Sequence, residues 1–237
     1  MAKQRAVVVG AGGISNAWFG PLLQEKIAIE AVVDLNRSAA AGQIEKYELD
    51  AEACDDLDAA LKAHRPDIVV DLTIPDAHCE VTCKALKAGA HVIGEKPMAS
   101  SMAEARKMVR TAEQAGKVYM VSQNRRAVGT HERARRTAAK LGELTTLNCD
   151  FYIGAHFGGF RDQMPSPLIL DMAIHHFDLA RFLTGKDPLA VYAHEFNSAL
   201  RTGKTPATEC HDNIKSLAMV FAAIESSKKR KRVEVKV

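Results

Sequence analysis

The hexapeptide Gly10-Ala11-Gly12-Gly13-Ile14-Ser15 constrains the fold more than any other feature of this chain. It follows an apolar run, Ala6–Val9, and leads into a stretch with helical character, Ile14–Gln24. A strand that ends in glycine, turns at once and feeds a helix opens a dinucleotide-type βαβ unit. Glycine at 10 permits the tight turn. Glycine at 12 lets the backbone approach a diphosphate, and Ser15 takes the small position where helix and strand pack closely. Gly10, Gly12, Gly13 and Ile14 are therefore the candidate cofactor loop, where peptide N–H groups and the helix dipole favour phosphate. The next apolar run, Ile29–Val33, ends at Asp34, a carboxylate placed to accept hydrogen bonds from adenosine-ribose hydroxyls. Like charge disfavours a 2′-phosphate there, so NAD is expected over NADP, with Arg37 offsetting part of the repulsion.

The alternation continues. Ser38–Lys46, Leu57–Ala63, Asp76–Lys87 and Ser101–Ala115 read as helices, and Ile68–Leu72, Val92–Ile93 and Val118–Val121 as strands. Gly116 stands just past a helix end, where a left-handed residue belongs. Near-continuous valine and isoleucine runs separated by helices indicate a parallel sheet covered on both faces, the α/β class. Near Gln123 the pattern changes. A basic helix over Arg133–Leu141, an alternating strand over Leu144–Tyr152, a helix over Leu168–Leu183, a strand over Leu189–Ala193 and a helix over Asn213–Ser226 are expected. The expected division is a cofactor domain over 1–122 and a substrate and oligomerisation domain over 123–237.

Of the 237 residues 47% are hydrophobic and the net charge is only +3, which gives no reason to expect nucleic acid or an anionic membrane as partner. No run of about 18 apolar residues offers a transmembrane helix, and the start of the chain enters the first strand without the apolar stretch of a signal peptide. The five cysteines (54, 79, 83, 149, 210) lack CxxC spacing, and Cys79 and Cys83, one helical turn apart, suit packed thiols. A reduced, cytoplasmic setting is expected.

Two further motifs carry chemistry. Gly94-Glu95-Lys96-Pro97 sits at the carboxyl end of a parallel strand, the edge where ligands bind in such sheets. A lysine there can bind a substrate hydroxyl and stabilise a developing alkoxide; the plainer reading is a solvated lysine before a turn proline. In Asp171-Met172-Ala173-Ile174-His175-His176-Phe177-Asp178, positions 171, 175 and 178 share a helical face. A carboxylate one turn before a histidine can orient the ring and raise its basicity. HxxxH and HxH spacings are absent, so no metal is expected there.

Gly10–Ser15, Asp34, Thr73-Ile74-Pro75-Asp76-Ala77-His78, Glu95-Lys96-Pro97 and Asp171–Asp178 occur in an order and at spacings that together resemble the glucose–fructose oxidoreductase, inositol dehydrogenase and MocA-type oxidoreductase family. The resemblance spans nearly the whole chain. It implies a Rossmann domain followed by an α/β domain whose open, largely antiparallel sheet carries the substrate site and the interface of a homo-oligomer, dimer or tetramer. Lys96, Asp171 and His175 match the catalytic lysine, aspartate and histidine, with Asp171 holding His175. Thr73, Pro75 and His78 match the loop beside the nicotinamide, with Glu95 in the cofactor set. Gln123, Asn124 and Arg125 enter the active-site cleft, and Arg161 either contacts the ligand or lies on the surface.

Family members are usually longer. Val191–Phe196 resembles the start of the large sheet and Ala199–Pro206 already the approach to the last helix, so sheet strands near 196–199 are missing, by internal shortening or by omission of a segment. The basic run Lys228–Arg232 complements a helix C-terminus, followed by a short strand over Val233–Val237. The implied reaction is hydride transfer between a sugar or polyol secondary alcohol and NAD(P). The alternatives are a cofactor-binding protein without catalysis, as a sensor or partner subunit, and an NAD-dependent glycoside hydrolase.

Overall fold

The computed structural model describes residues 3–151, 158–164 and 167–191, and towards the end 218, 222, 225–226 and 228–234. The chain divides into two compact units, Met1–Asp187 and Pro188–Val237. Among its described residues the first contains six strands: β1 Arg5–Val9, β2 Ala28–Val33, β3 Glu52–Cys54, β4 Ile68–Asp71, β5 His91–Gly94 and β6 Tyr119–Val121. They form one parallel sheet in the order β3-β2-β1-β4-β5-β6. Its helices are α1 Phe19–Gln24, α2 Arg37–Lys46, α3 Leu57–His64, α4 Pro75–Lys87, α5 Met102–Ala115, α6 Gly129–Ala138 and α7 Ile174–Thr184. Among the described residues no helix is long and apolar enough to cross a membrane.

Alternate residues of each central strand serve opposite faces. Val7, Val9, Val33 and Val69 pack with Leu61, Val81 and Leu86 on one side. Val8, Val32 and Val70 pack with Phe19, Leu22 and Ala40 on the other. Both faces are therefore dry, which is why the strands read as unbroken valine runs. Cys79 and Cys83 of α4 pack as free thiols against Met108 of α5. The sheet order reverses direction between β1 and β4, and the loops leaving these two strands meet at that crevice, the usual ligand position in such sheets.

The cofactor half follows the sequence closely, with two departures. The expected helix over Ile14–Gln24 is broken: a 3₁₀ turn covers Gly13–Ala17 and α1 restarts at Phe19. Pro21 has no N–H to donate to the carbonyl of Ala17, so an unbroken α-helical ladder cannot run through this point. The short edge strand β3 was not anticipated; three residues of which one is glutamate carry no periodic signal. Helix ends match their caps, with Asn36, Asp56 and Ser101 accepting backbone N–H groups at N-termini and Gly116 left-handed at φ 60 after α5.

The later part departs further. The basic helix lies at Gly129–Ala138, and residues 144–151 form no strand. Five of these eight residues are hydrophilic or small, and alternation does not by itself supply a partner strand. The expected helix over Leu168–Leu183 has two sections, a π-helical Leu168–Ala173 and then α7, closed by left-handed Gly185 at φ 66. Residues 189–191 are not in a strand, and 192–193, Tyr152, Val191–Phe196 beyond its first residue, Ala199–Pro206 and most of Asn213–Ser226 lie outside the described residues. In the second unit 225–226 and 228–229 are helical and Arg230, at φ 48, turns the chain out of the helix. Residues 233–234 are not in a strand, and 235–237 lie outside the described residues.

Candidate active site

The glycine loop is fixed from both sides. Gly10 adopts φ 100, and a Cβ there would lie 2.7 Å from the carbonyl carbon and oxygen of Leu72. Only glycine permits both the conformation and the approach of the β4 loop. Ser15 is fully buried, its Oγ donating to the Gly12 carbonyl at 2.7 Å. Around Gly12 and Gly13, by contrast, a Cβ would meet nothing within 4 Å, so the loop's outer side is open space. A cradle clamped from beneath and clear above fits a diphosphate laid on backbone N–H groups.

Asp34 holds this loop. Its Oδ2 accepts the Ala11 N–H at 2.7 Å and its Oδ1 the Asn36 N–H at 2.8 Å. Arg37 begins α2, and its Nε donates to the Ala53 carbonyl of β3 at 2.9 Å. Its guanidinium is thus tied to the edge strand.

The β4 loop stands on a buried polar network. Asp71, wholly buried, accepts the Thr73 N–H at 3.1 Å, the Thr73 hydroxyl at 2.6 Å and the Thr82 hydroxyl at 3.3 Å. His78 Nδ1 lies 3.1 Å from Asp71 Oδ2 and 3.2 Å from Thr73 Oγ1. His78 therefore points inward, with its Nε2 buried and unpartnered, and props the loop from below. Pro75 sits at the first position of α4, where its missing N–H costs nothing. Burial, then the charge of Asp71, pushes the Tyr119 hydroxyl well above its ordinary range, so it stays protonated beside this network.

Glu95 joins the glycine-loop segment to the lysine. Its Oε1 accepts the indole N–H of Trp18 at 2.8 Å and its Oε2 the backbone N–H of Lys96 at 3.1 Å. Lys96 reaches across to the π-helical turn, where Nζ donates to Asp171 Oδ1 at 2.8 Å and to the Asp171 carbonyl at 3.0 Å. Arg161 Nε donates to the other carboxylate oxygen at 2.7 Å. Asp171 is buried beneath both cations. Burial pushes its carboxyl up, but the hydrogen bonds from Arg161 and Lys96 and their charges outweigh that and hold it below the usual range.

This geometry corrects one expectation. Asp171 does not hydrogen-bond His175; both carboxylate oxygens are engaged by Lys96 and Arg161. The π section takes more residues per turn than an α-helix and so shifts the phase of Asp171 relative to α7. His175 is buried all the same, with its Nδ1 unpartnered. Burial, and then the charges of Lys96 and Arg125, lower its pKa below the ordinary 6.5 against the opposing pull of Asp171. Lys96, Asp171, Arg161, His175 and Arg125 thus act on one another, while Asn124 lies exposed at the start of a 3₁₀ turn.

Sequence reasoning missed the brace that holds this turn to α7. Arg126 forks onto Asp178, Nε to Oδ2 at 2.8 Å and Nη2 to Oδ1 at 2.5 Å, and lies over the Phe182 ring at 5.7 Å. Asp178 was visible as the last member of the helical motif, but nothing in its spacing names a partner 52 residues earlier. Trp18 was likewise silent in the sequence.

A family model described as an oxidoreductase family with an NAD-binding Rossmann fold matches residues 4–123, and one for a GFO/IDH/MocA C-terminal domain matches 130–218. The chain belongs to the GFO/IDH/MocA oxidoreductase family. Its family relatives include the D-glucoside 3-dehydrogenase of Escherichia coli strain K12, 34% identical over 203 residues that span 81% of this chain and 57% of the relative. The 1,5-anhydro-D-fructose reductase of Ensifer adhaerens is 33% identical over 135 residues, 54% of this chain and 40% of the relative. The crystal structure of myo-inositol 2-dehydrogenase from Lactobacillus plantarum superposes with a TM-score of 0.66 at 18% identity, covering 78% of this chain and 57% of that one. The chain therefore spans about half the length of the curated relatives it matches.

Proposed function

We propose that this chain is the cofactor-binding and catalytic part of an NAD-dependent dehydrogenase acting on a secondary alcohol of a sugar or polyol. The observation that carries the reading is the Lys96–Asp171–Arg161 cluster with His175 buried beside it, at the carboxyl edge of a sheet whose glycine loop is open for a diphosphate. The substrate class is supported by the similarity to a D-glucoside 3-dehydrogenase and a 1,5-anhydro-D-fructose reductase. Gly12, Gly13 and Ile14 would hold the diphosphate, Asp34 the ribose, and the Thr73–Pro75 loop the nicotinamide half. The bound cofactor supplies a hydride acceptor.

The chain's own groups supply the rest. Lys96 binds the substrate oxygen and stabilises its negative charge as the proton leaves. Asp171, paired with both Lys96 and Arg161, fixes the lysine ammonium in place. His175 takes the hydroxyl proton on a ring nitrogen. Its lowered pKa keeps the ring neutral and able to accept that proton at neutral pH. The division into a cofactor domain over 1–122 and a second domain from 123 belongs to this reading, supported by two family models that meet between 123 and 130. A homo-oligomer in a reduced cytoplasmic setting is part of it too, in keeping with free thiols at Cys54, Cys79, Cys83 and Cys149.

The test is reduction of NAD by the purified chain over a panel of sugars and polyols, followed at the nicotinamide absorbance. NADH binding with no turnover on the whole panel would favour a non-catalytic binder instead. Alcohol oxidation requires neutral His175, so the rate should rise with pH through that group's pKa. Because burial and the Lys96 and Arg125 charges lower the pKa, the acid limb should fall below pH 6.5. Arg125→Gln removes one of those charges and should move the limb upwards; a profile of kcat against pH checks it.

Cofactor choice gives a second prediction. Asp34 meets a 2′-phosphate as like charge, and Arg37 is held by the Ala53 carbonyl. The wild type is expected to bind NADH more tightly than NADPH. Asp34→Ser should weaken NADH binding by roughly 1–3 kcal/mol, from lost ribose hydrogen bonds and a loosened Ala11 N–H, and should narrow the gap between the cofactors. Calorimetric titration of both reduced cofactors decides it; tighter NADPH binding by the wild type would assign the pocket to Arg37.

A further inference from the structure

The edge strand of the sheet carries a cluster that the dehydrogenase reading does not use. Glu52 and Cys54 are alternate residues of β3 and so share one face of the strand. His64, the last residue of α3, comes over that face with Nε2 3.1 Å from Glu52 Oε2. The carboxylate oxygen, the sulfur and the imidazole nitrogen all lie within 4.8 Å of one another.

We propose that Glu52, Cys54 and His64 bind a zinc-class divalent cation, with a solvent water as fourth ligand. One thiolate, one imidazole and one carboxylate are the donors that zinc takes. Tetrahedral bonds of about 2.0–2.3 Å place neighbouring donors roughly 3.3–3.7 Å apart. The His64–Glu52 pair already stands near that spacing, so closing the site needs the thiol to move by no more than about an ångström, within reach of a side-chain rotation.

The backbone behind the three ligands is fixed. Glu52 and Cys54 are in register with Ala31 and Val33 of the buried strand β2. The His64 carbonyl accepts Arg5 Nη1 at 3.2 Å, and Arg65, left-handed at φ 42, stops α3 directly after it. The His64 side chain is 17% exposed and that of Glu52 57%, so the cluster opens to solvent on the carboxylate side. A cation can enter there and a water can complete its shell. The metal takes the place of the thiol proton, which passes to solvent, and His64 ligates through Nε2 with its remaining proton on Nδ1.

The position gives the site a use. The carbonyl of Cys54 accepts the backbone N–H of Asp34 at 3.0 Å, and that of the adjacent Ala53 accepts Arg37. A cation that ties β3 to α3 therefore braces the strand on which Asp34 and Arg37 lean. This proposal stands without the dehydrogenase reading, because its readout is metal binding.

The experiment is a Co²⁺ titration of the purified, metal-stripped chain, read by absorption. Binding should produce a thiolate-to-cobalt charge-transfer band together with intense tetrahedral ligand-field bands, and Zn²⁺ should displace both. Cys54→Ser should abolish the charge-transfer band, and Glu52→Gln and His64→Ala should each weaken binding at least about tenfold. Cys149→Ser, at an exposed cysteine outside the cluster, should leave the spectrum unchanged. Circular dichroism melts establish that each variant is folded. A wild type that shows no charge-transfer band at saturating cobalt, or a band that survives in Cys54→Ser, overturns the proposal and leaves a plain His64–Glu52 hydrogen bond.

Discussion

His175→Ala is expected to lower turnover by roughly 10²–10⁴-fold while leaving NADH affinity nearly unchanged, since a general base contributes on that scale and this one lies outside the glycine loop. The contrast between the two readouts is the point of the experiment. A ring that merely filled space would, on removal, lower the melting temperature and affect both measurements together. Lys96→Met should cause a loss of similar size by another route. It removes the charge that stabilises the substrate oxygen and leaves Asp171 with Arg161 alone. It also takes a cation away from His175, so any residual activity should show its acid limb at higher pH than the wild type. Initial rates across pH for both variants, with NADH titrations alongside, check the assignment. Turnover by His175→Ala equal to that of the wild type would remove His175 from the mechanism.

Gly10→Ala should be the most damaging single change to the fold. The residue sits at φ 100, where an L side chain costs roughly 1–2 kcal/mol. The new methyl would also lie 2.7 Å from the Leu72 carbonyl, which is backbone and cannot rotate away. Separating the β1 and β4 loops adds overpacking strain, for a total of about 2–5 kcal/mol. Gly12→Ala is the matched control. It has an extended backbone at φ −71 and nothing within 4 Å, so it should fold with near wild-type stability and yet bind NADH poorly, because the methyl occupies the diphosphate's side of the loop. Urea denaturation and NADH titration of the two variants separate stability from binding. Equal stability of Gly10→Ala and wild type would contradict this packing of Gly10 against Leu72.

The cofactor half was legible because its signals are local. Val7 to Val9, Val32 to Val33 and Val69 to Val70 are buried on both faces, so unbroken apolar runs marked the strands before any contact was known. Glycine at 10 and 116 announced backbone conformations that few other residues adopt. Pro21 carried the break in the first helix just as openly, and the broken segment follows from its missing N–H. The alternating stretch 144–151 misled, because period-two patterning describes a strand only where a partner strand exists to pair with it.

The sequence by itself determined the order of the cofactor half's elements apart from β3, the turn at Gly10, the carboxylate at Asp34 and the residue types of the candidate site. Each depends on chain neighbours, and local chemistry is written in neighbouring letters. Only the tertiary structure decided which groups pair. It gave Asp171 to Lys96 and Arg161 in place of His175, turned His78 inward to Asp71, joined Arg126 to Asp178 across 52 residues, linked Trp18 to Glu95 across 77, and brought His64 over Cys54. The physical reason is that a charged or polar side chain finds its partner by burial and distance in space. A π turn that shifts one carboxylate by part of a turn redirects it to different cations, and no spacing rule along the chain records that shift.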